Sequence, residues 1–300
     1  MNFIDAHAHI WTPDLAHYPL GPGWRQKDMR PRSFTADQFL KHMHSAGVSR
    51  ANLIQMSFYN PHPDIDTAKV QGRIISGIVN GFDNRYMLDM IQMHKGVFVG
   101  TAVVDPHASD VARQMTDLGR RGVRAFRIHP RLSRLPPAKW LEPPGYLKMF
   151  AAAAKNNQAL SCLIDVQGLP EVDRMCRRFP GTPVIIDHLC RIGSSGTIEE
   201  KDVEALCALA KHPRVMIKVG AFYALGKKTP PYTDLAPLIR SVVQAFGAGR
   251  CMWETDSPYQ VTAGKYQDSL DLIRIRLDFL TDDDRDRLLR RTAEEFFFKQ

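Results

Sequence analysis

Short apolar runs alternate with helical segments along the whole chain, and this alternation most constrains its fold. The runs predict eight strands, at Asn2–Trp11, Ala51–Ser57, Val97–Asp105, Val123–His129, Ala159–Val166, Pro183–His188, Val215–Val219 and Arg250–Asp256. Eight strand–helix units of roughly 25 to 50 residues favour an α/β protein with a closed (β/α)8 barrel, formed by residues 1–300 as one domain. An open doubly wound sheet is the competing fold, but no G-x-G-x-x-G or phosphate-binding loop follows the first strand.

Composition narrows the class of protein further. No run of about 18 apolar residues occurs, so no membrane span is predicted. The first strand begins near residue 3, and we therefore expect no signal or transit peptide. Five cysteines without a C-x-x-C pair are typical of reduced thiols, and they predict a cytoplasmic protein.

The chain is basic, with 40 Lys and Arg against 32 Asp and Glu and a net charge of +8. It has no basic tail and no nucleic-acid-binding motif, which disfavours a nucleic-acid partner. Arginines are dense around the fourth strand, and a guanidinium offers two parallel donors to a carboxylate. The basic excess fits an anionic small substrate or only a solvated surface. We expect a small anionic or polyhydroxylated substrate, and a homo-oligomer stays open.

Two histidines one residue apart lie on the first apolar run. Strand side chains alternate, so His7 and His9 are expected on one side, with Ala6, Ala8 and Ile10 on the other. Two imidazoles at this spacing can hold one divalent cation, and imidazole suits zinc. A pair of buried, hydrogen-bonded histidines is the alternative interpretation.

Polar residues also end the later strands, where barrel enzymes place their active sites. They are Ser57 and Tyr59 after the second strand, Arg127, His129 and Arg131 on the fourth, Asp165 and Gln167 on the fifth, Asp187 and His188 on the sixth, Lys218 and Tyr223 on or after the seventh, and Asp256 on the eighth. Singly, Asp187 could be a cap, Gln167 a turn residue and Lys218 a surface amine. Together they indicate a catalytic site.

The Pro-rich stretches Trp11–Pro31 and Leu132–Gly145 are expected to form lids or pocket walls.

Three motifs in their order resemble the amidohydrolase superfamily, and more closely its amidohydrolase-2 branch, which contains sugar-lactone and dicarboxylate-lactone hydrolases. The motifs are His7-x-His9, Ile-Ile-Asp187-His188-Leu and Glu-Thr-Asp256-Ser-Pro, and the resemblance covers the whole chain. It implies a distorted (β/α)8 barrel that hydrolyses an ester or amide bond. It also implies a divalent metal in many members, whereas some lactonases of the branch work without one.

The sequence departs from the fuller pattern at two strand ends. No lysine ends the fourth strand, so a carbamylated lysine bridging two metals is not expected, and Gln167 stands where many relatives have a metal-binding histidine. The resemblance then implies a mononuclear site with His7, His9 and Asp256 as ligands. His188 would be a fourth ligand or a substrate contact. Three protein ligands and a water suit catalytic zinc, and no organic cofactor is expected.

The leading functional hypothesis from the sequence is opening of a sugar-acid or dicarboxylate lactone. Asp256 would act as the general base, with His188 as a second catalytic residue. The metal, or His7 and His9 themselves, would polarise the carbonyl. Substrate contacts are assigned to Ser57, Tyr59, Arg127, His129, Arg131, Gln167 and Tyr223. Non-oxidative decarboxylation, lactone isomerisation and ligand binding without chemistry are the alternatives.

Overall fold

The computed structural model describes residues 2–62, 82–133 and 135–299, and eight parallel strands form its centre. Each strand pairs with the next along the chain, which confirms the predicted (β/α)8 barrel. The strands are β1 (Phe3–Ala8), β2 (Val48–Ile54), β3 (Phe98–Ala102), β4 (Val123–Ile128), β5 (Ala159–Cys162), β6 (Val184–Ile186), β7 (Val215–Val219) and β8 (Cys251–Trp253).

The helices surround this sheet. They are α1 (Ala36–Ser45), α2 (Arg85–Met93), α3 (Val111–Arg120), α4 (Pro130–Ser133), α5 (Pro144–Asn156), α6 (Leu169–Arg178), α7 (Glu200–Cys207), α8 (Ala236–Phe246), α9 (Tyr259–Ala263), α10 (Tyr266–Asp271) and α11 (Asp282–Asp286). A capping box begins α11, where the Thr281 hydroxyl accepts from the Asp284 amide at 3.1 Å. None of the described helices has the length and apolar character needed to cross a membrane.

The barrel closes at a seam between β1 and the segment that follows β8. The His9 amide donates to the Ser257 carbonyl at 2.7 Å, and the Asp256 amide donates to the His7 carbonyl at 2.9 Å. Lower on the seam, the buried Asp5 carboxylate accepts the Thr255 amide at 3.0 Å and the Thr255 hydroxyl at 2.6 Å. These bonds bring the first and last strands of the barrel together at its carboxyl end.

The amino end of the barrel is filled with apolar side chains. Ile4, Ile185, Met216 and Met252 pack there against Phe297 from the C-terminal helical region. The residues that alternate with these along the same strands face outward and pack against the surrounding helices. Because this end is plugged, polar strand residues are left to face the carboxyl end, which is the usual position of a barrel active site.

Most strands are shorter than predicted, and mainly at their carboxyl ends. β5 ends at Cys162 instead of Val166, and β8 ends at Trp253 instead of Asp256. The residues beyond these points leave the sheet to form the mouth of the barrel. After β8 the residues Glu254, Thr255 and Asp256 stay as buried as the strand itself, so a burial pattern alone does not mark where the strand ends.

Strict alternation along β1 is also interrupted. Asp5 pairs with Ala51 and Ala8 pairs with Leu53, so three steps on β1 oppose two steps on β2, as in a β-bulge. As a result Ala6 packs into the inner apolar cluster and does not point away from the barrel interior, which corrects the prediction made for it. The bulge turns His7 toward the mouth of the barrel.

Candidate active site

A cavity of about 640 Å³ lies at the carboxyl end of the barrel, a size typical of small-molecule sites. Eight of the residues predicted from the sequence line it: His9, Ser57, Arg127, His129, Arg131, His188, Tyr223 and Asp256. His7 lies directly beneath and is fully buried. The first Pro-rich stretch contributes Trp24 to the wall, and the second contributes Leu132.

Two predicted substrate contacts do not reach this cavity. Tyr59 is buried, and its hydroxyl accepts the Thr12 amide at 3.3 Å. Gln167 lies in the 3-10 turn Val166–Gly168 with an exposed side chain, because β5 ends five residues earlier than this position. The structure therefore does not support the substrate-binding roles assigned to Tyr59 and Gln167.

The donor atoms of His7, His9 and Asp256 converge on one point. His7 Nε2 is 3.3 Å from His9 Nε2, and Asp256 Oδ1 is 3.2 Å from His9 Nε2 and 3.6 Å from His7 Nε2. Ligands about 2.0–2.2 Å from a tetrahedral zinc ion are themselves about 3.3–3.6 Å apart. The three separations therefore match the donor set of a single divalent cation.

The local hydrogen bonds support the same donor set. His9 Nδ1 lies 3.0 Å from the Ile54 carbonyl, which can only accept, so the hydrogen is on Nδ1 and the lone pair of Nε2 faces the cavity. Asp256 Oδ1 is buried and accepts no hydrogen bond from the described residues. A buried carboxylate oxygen without a donor is costly unless a cation or a solvent molecule meets it.

Asp256 is held in an unusual backbone conformation, with a φ of 60°. The Tyr223 hydroxyl donates to Asp256 Oδ2 at 2.6 Å and fixes the direction of the carboxylate. Burial alone would raise the pKa of Asp256, but His188, His9 and His7 outweigh it and hold the pKa below its usual range. Asp256 is therefore ionised at neutral pH and has a free oxygen for a proton.

A buried ion pair supports the histidines from below. Lys218 Nζ lies 3.0 Å from Asp187 Oδ1, and both side chains are 0% exposed. The Ser161 hydroxyl donates to the same carboxylate oxygen at 2.7 Å. Neither a surface role for Lys218 nor a simple capping role for Asp187 fits this arrangement. Burial would raise the pKa of Asp187, but Lys218, His7 and Arg127 hold it well below its usual range.

Glu254 also belongs to the site, although the sequence analysis assigned it no role. Its Oε1 lies 2.6 Å from His188 Nδ1, and its Oε2 lies 3.1 Å from His7 Nδ1. Burial would lower the pKa of His188, but Glu254 and Asp256 outweigh it and raise that pKa. The available signal was an acidic residue directly after the apolar run Cys251–Trp253, two positions before Asp256.

The residues after β6 form a single left-handed turn. His188, Leu189, Cys190 and Arg191 have φ angles of 54°, 51°, 56° and 57°. This conformation costs roughly 1–2 kcal/mol for each residue that carries a side chain, and such strain is often found at functional sites. The turn directs both His188 and Arg191 to the cavity wall.

The rim of the cavity is strongly cationic. Arg127, Arg131, Arg191 and Lys228 line it, whereas Asp256 is the one carboxylate among the described lining residues. Burial, together with the charges of Arg127, Arg131 and Arg191, lowers the pKa of His129 to about 4. The neutral His129 accepts the Arg131 amide at Nδ1, at 2.9 Å. The cavity can thus attract an anion. Arg191 and Lys228 were not predicted from the sequence.

Residues 4–299 match the sequence model of the amidohydrolase family, Amidohydro_2. The chain belongs to the amidohydrolase family. This amidohydrolase is 26% identical over 281 residues to L-fucono-1,5-lactonase of Burkholderia ambifaria, covering 88% of this chain and 83% of the relative. It is 22% identical over 286 residues to 4-sulfomuconolactone hydrolase of Hydrogenophaga intermedia, covering 94% and 84% of the two chains.

Solved structures share the fold of this amidohydrolase. A putative 2-pyrone-4,6-dicarboxylic acid hydrolase from Pseudomonas putida superposes with a TM-score of 0.76 at 19% identity, covering 99% of this chain and 97% of the other. An amidohydrolase from Burkholderia multivorans with bound zinc superposes with a TM-score of 0.75 at 17% identity, covering 99% of both chains. At these identities, the likeness establishes the barrel fold.

Proposed function

We propose that this amidohydrolase is a lactonase that hydrolyses the ring ester of a small lactone bearing an acidic group. The observation that carries the proposal is one ionised carboxylate, Asp256, beneath a rim of four cationic side chains. The carboxylate supplies a base for water, and the cations supply a clamp for an anionic substrate. The two curated relatives named above, both lactone hydrolases, support this reaction class.

Binding is proposed to depend on the cationic rim. The guanidinium groups of Arg131 and Arg191 can each present two parallel N–H donors to a carboxylate or sulfonate, whereas Arg127 lies deeper, beside His9 and His188. Met56 and Leu163 add apolar wall on which a lactone ring can rest. The acidic group of the substrate is held at the rim, and the ring ester lies deeper, near Asp256.

The chemistry is an addition followed by an elimination. The oxygen of a water molecule forms a bond to the lactone carbonyl carbon as its proton passes to Asp256. The ring C–O bond then breaks, and the departing oxygen takes up the proton from Asp256. The product is the open hydroxy acid, with one water consumed for each ring opened. Tyr223 holds Asp256 Oδ2 throughout, and Arg127, with Nη2 3.4 Å from His188 Nε2, can donate to the developing oxyanion.

We further propose that His7, His9 and Asp256 hold one zinc ion, with His188 as a fourth ligand or substrate contact. The converging donors and the unpaired Asp256 Oδ1 support this assignment, and the second lone pair of that oxygen stays available for the proton of the attacking water. When bound, such an ion polarises the carbonyl and makes water more acidic.

The five free cysteines fit a reducing compartment, and a cytoplasmic location is proposed on that basis.

The test is a panel of lactones assayed by proton release at low buffer concentration. We expect turnover of lactones bearing a carboxylate or sulfonate, and weaker turnover of neutral sugar lactones.

Asp256→Asn should abolish turnover, whereas the matched control Asp278→Asn, at a carboxylate that is 93% exposed, should retain it. Near-normal activity of Asp256→Asn would refute the assigned base. Release of carbon dioxide from unsaturated or aromatic acids without lactone turnover would instead identify a decarboxylase.

A further inference from the structure

Two groups of opposite character lie closest to Nδ1 of His7. Lys218 Nζ is 3.1 Å from this atom, Glu254 Oε2 is also 3.1 Å from it, and Asp187 Oδ1 is farther away at 3.6 Å. These side chains are all 0% exposed, so solvent cannot replace either of the two nearest partners. A ring nitrogen either accepts a hydrogen bond from the ammonium group or donates one to the carboxylate, and it cannot do both.

The hydrogen bonds of the structure correspond to Nδ1 accepting from the ammonium group of Lys218. When Lys218 donates to Nδ1, the hydrogen of a neutral His7 is on Nε2, which faces His9 Nε2 at 3.3 Å. The lone pair of His9 Nε2 receives it, because His9 Nδ1 donates to the Ile54 carbonyl. This arrangement leaves Glu254 Oε2 buried, with no hydrogen bond from any described residue.

A cation held by His7, His9 and Asp256 requires Nδ1 of His7 to donate its hydrogen to the Glu254 carboxylate. Its bond to His7 Nε2 needs a lone pair there, so the ring hydrogen must move to Nδ1, where Glu254 Oε2 is the nearest acceptor. Glu254 would then hold two histidines, with Oε1 on His188 Nδ1 at 2.6 Å and Oε2 on His7. Lys218 keeps Asp187 at 3.0 Å, so no buried charge loses its partner.

We propose that Glu254 is a positioning residue that determines which ring nitrogen of His7 carries the hydrogen, and thereby sets the affinity of the site for a divalent cation. Lys218 stabilises the opposite tautomer. Carboxylates commonly orient metal-binding histidines in this way. Space for Glu254 is provided by Gly220 after β7, because a Cβ there would overlap the Cγ of Glu254.

The first test is zinc binding by Glu254→Gln. A glutamine has one acceptor oxygen, so it can serve His7 or His188 but not both. We expect the affinity for Zn²⁺, measured by competition with a chromogenic chelator, to fall about 10–100-fold. Glu171→Gln is the matched control, since Glu171 is a buried glutamate that pairs with Arg174 outside the site. The Zn²⁺ affinity of this control variant should be unchanged. Unfolding curves show whether each variant is folded. Equal affinity of Glu254→Gln and the unmodified protein overturns the proposal.

The second test needs no variant. In protein with ¹⁵N-labelled histidine, long-range ¹H–¹⁵N correlations identify the tautomer of His7. The chelator-treated protein should carry the hydrogen on Nε2, and the Zn²⁺-loaded protein should carry it on Nδ1. The same tautomer in both samples, or no uptake of Zn²⁺ by the folded protein, overturns the inference. The inference rests on the cation proposed above, but both tests are read without substrate, so a failure of lactonase activity remains a separate outcome.

Discussion

Removing the ammonium group of Lys218 should destabilise the protein far more than removing an exposed one. The Lys218–Asp187 pair is 0% exposed at 3.0 Å, and at an effective dielectric constant of about 20 its attraction is about 5–6 kcal/mol. Breaking a buried pair typically costs about 3–5 kcal/mol, because the remaining charge is left unpaired. Arg127 Nε, at 3.7 Å from Asp187 Oδ2, offsets part of the loss, so we expect Lys218→Met to cost about 3 kcal/mol.

The assay is urea unfolding followed by circular dichroism, in chelator so that metal binding does not contribute. Lys211→Met is the matched control, since Lys211 lies 2.9 Å from Asp173 but is 54% exposed, and such pairs contribute about 0–1 kcal/mol. The double variant Lys218→Met/Asp187→Leu should recover much of the loss, because it removes both charges together. The reasoning is refuted if Lys218→Met costs no more than Lys211→Met, or if the double variant is as unstable as the sum of its single changes.

Three further predictions concern the cavity. Tyr223→Phe removes a 2.6 Å hydrogen bond to an ionised carboxylate, so the free energy of unfolding should fall by about 1.5–3 kcal/mol, and kcat/KM should also fall because the direction of the Asp256 carboxylate is no longer fixed. Arg191→Ala should raise KM for acidic lactones about 10-fold and leave neutral lactones unaffected, and an equal effect on both would contradict a charge-based role. His129 has a pKa near 4 in the folded protein, below that of the unfolded chain, so its neutral form contributes stability above about pH 6.5 that is lost as the pH falls toward 4. His129→Gln should therefore show a smaller loss of unfolding free energy between pH 7 and pH 4.5 than the unmodified protein, and equal losses would contradict the assignment.

The barrel was predictable because its strands are apolar runs separated by helical segments, and packing on both faces gives such runs a clear signal. His7 and His9 were identified for the same reason, as polar residues on an otherwise apolar strand. The β1 bulge was not predictable, since Ala6 fits either face of a strand and only the pairing with β2 reveals the extra residue.

The features of the site that sequence reasoning missed or misplaced depend on contacts distant in the chain. Lys218 was named from the sequence, but its burial depends on Asp187, which follows β6, and nothing beside Lys218 in the sequence indicates that partner. Arg191 reaches the cavity through a left-handed turn of four residues that are not glycine, a conformation that local propensity argues against. Gln167 was assigned to the site because an extended run was taken for strand beyond the true end of β5.

The seam of the barrel ties the histidines of β1 to a carboxylate that follows β8 in the sequence. During synthesis His7 and His9 are made before β2, and Asp256 follows only after all eight strands have been made. The bonds from His9 to Ser257 and from Asp256 to His7 cannot form before then. A chain that lacks β8 thus does not bring His7, His9 and Asp256 together, and the proposed site is complete only after the last strand has docked.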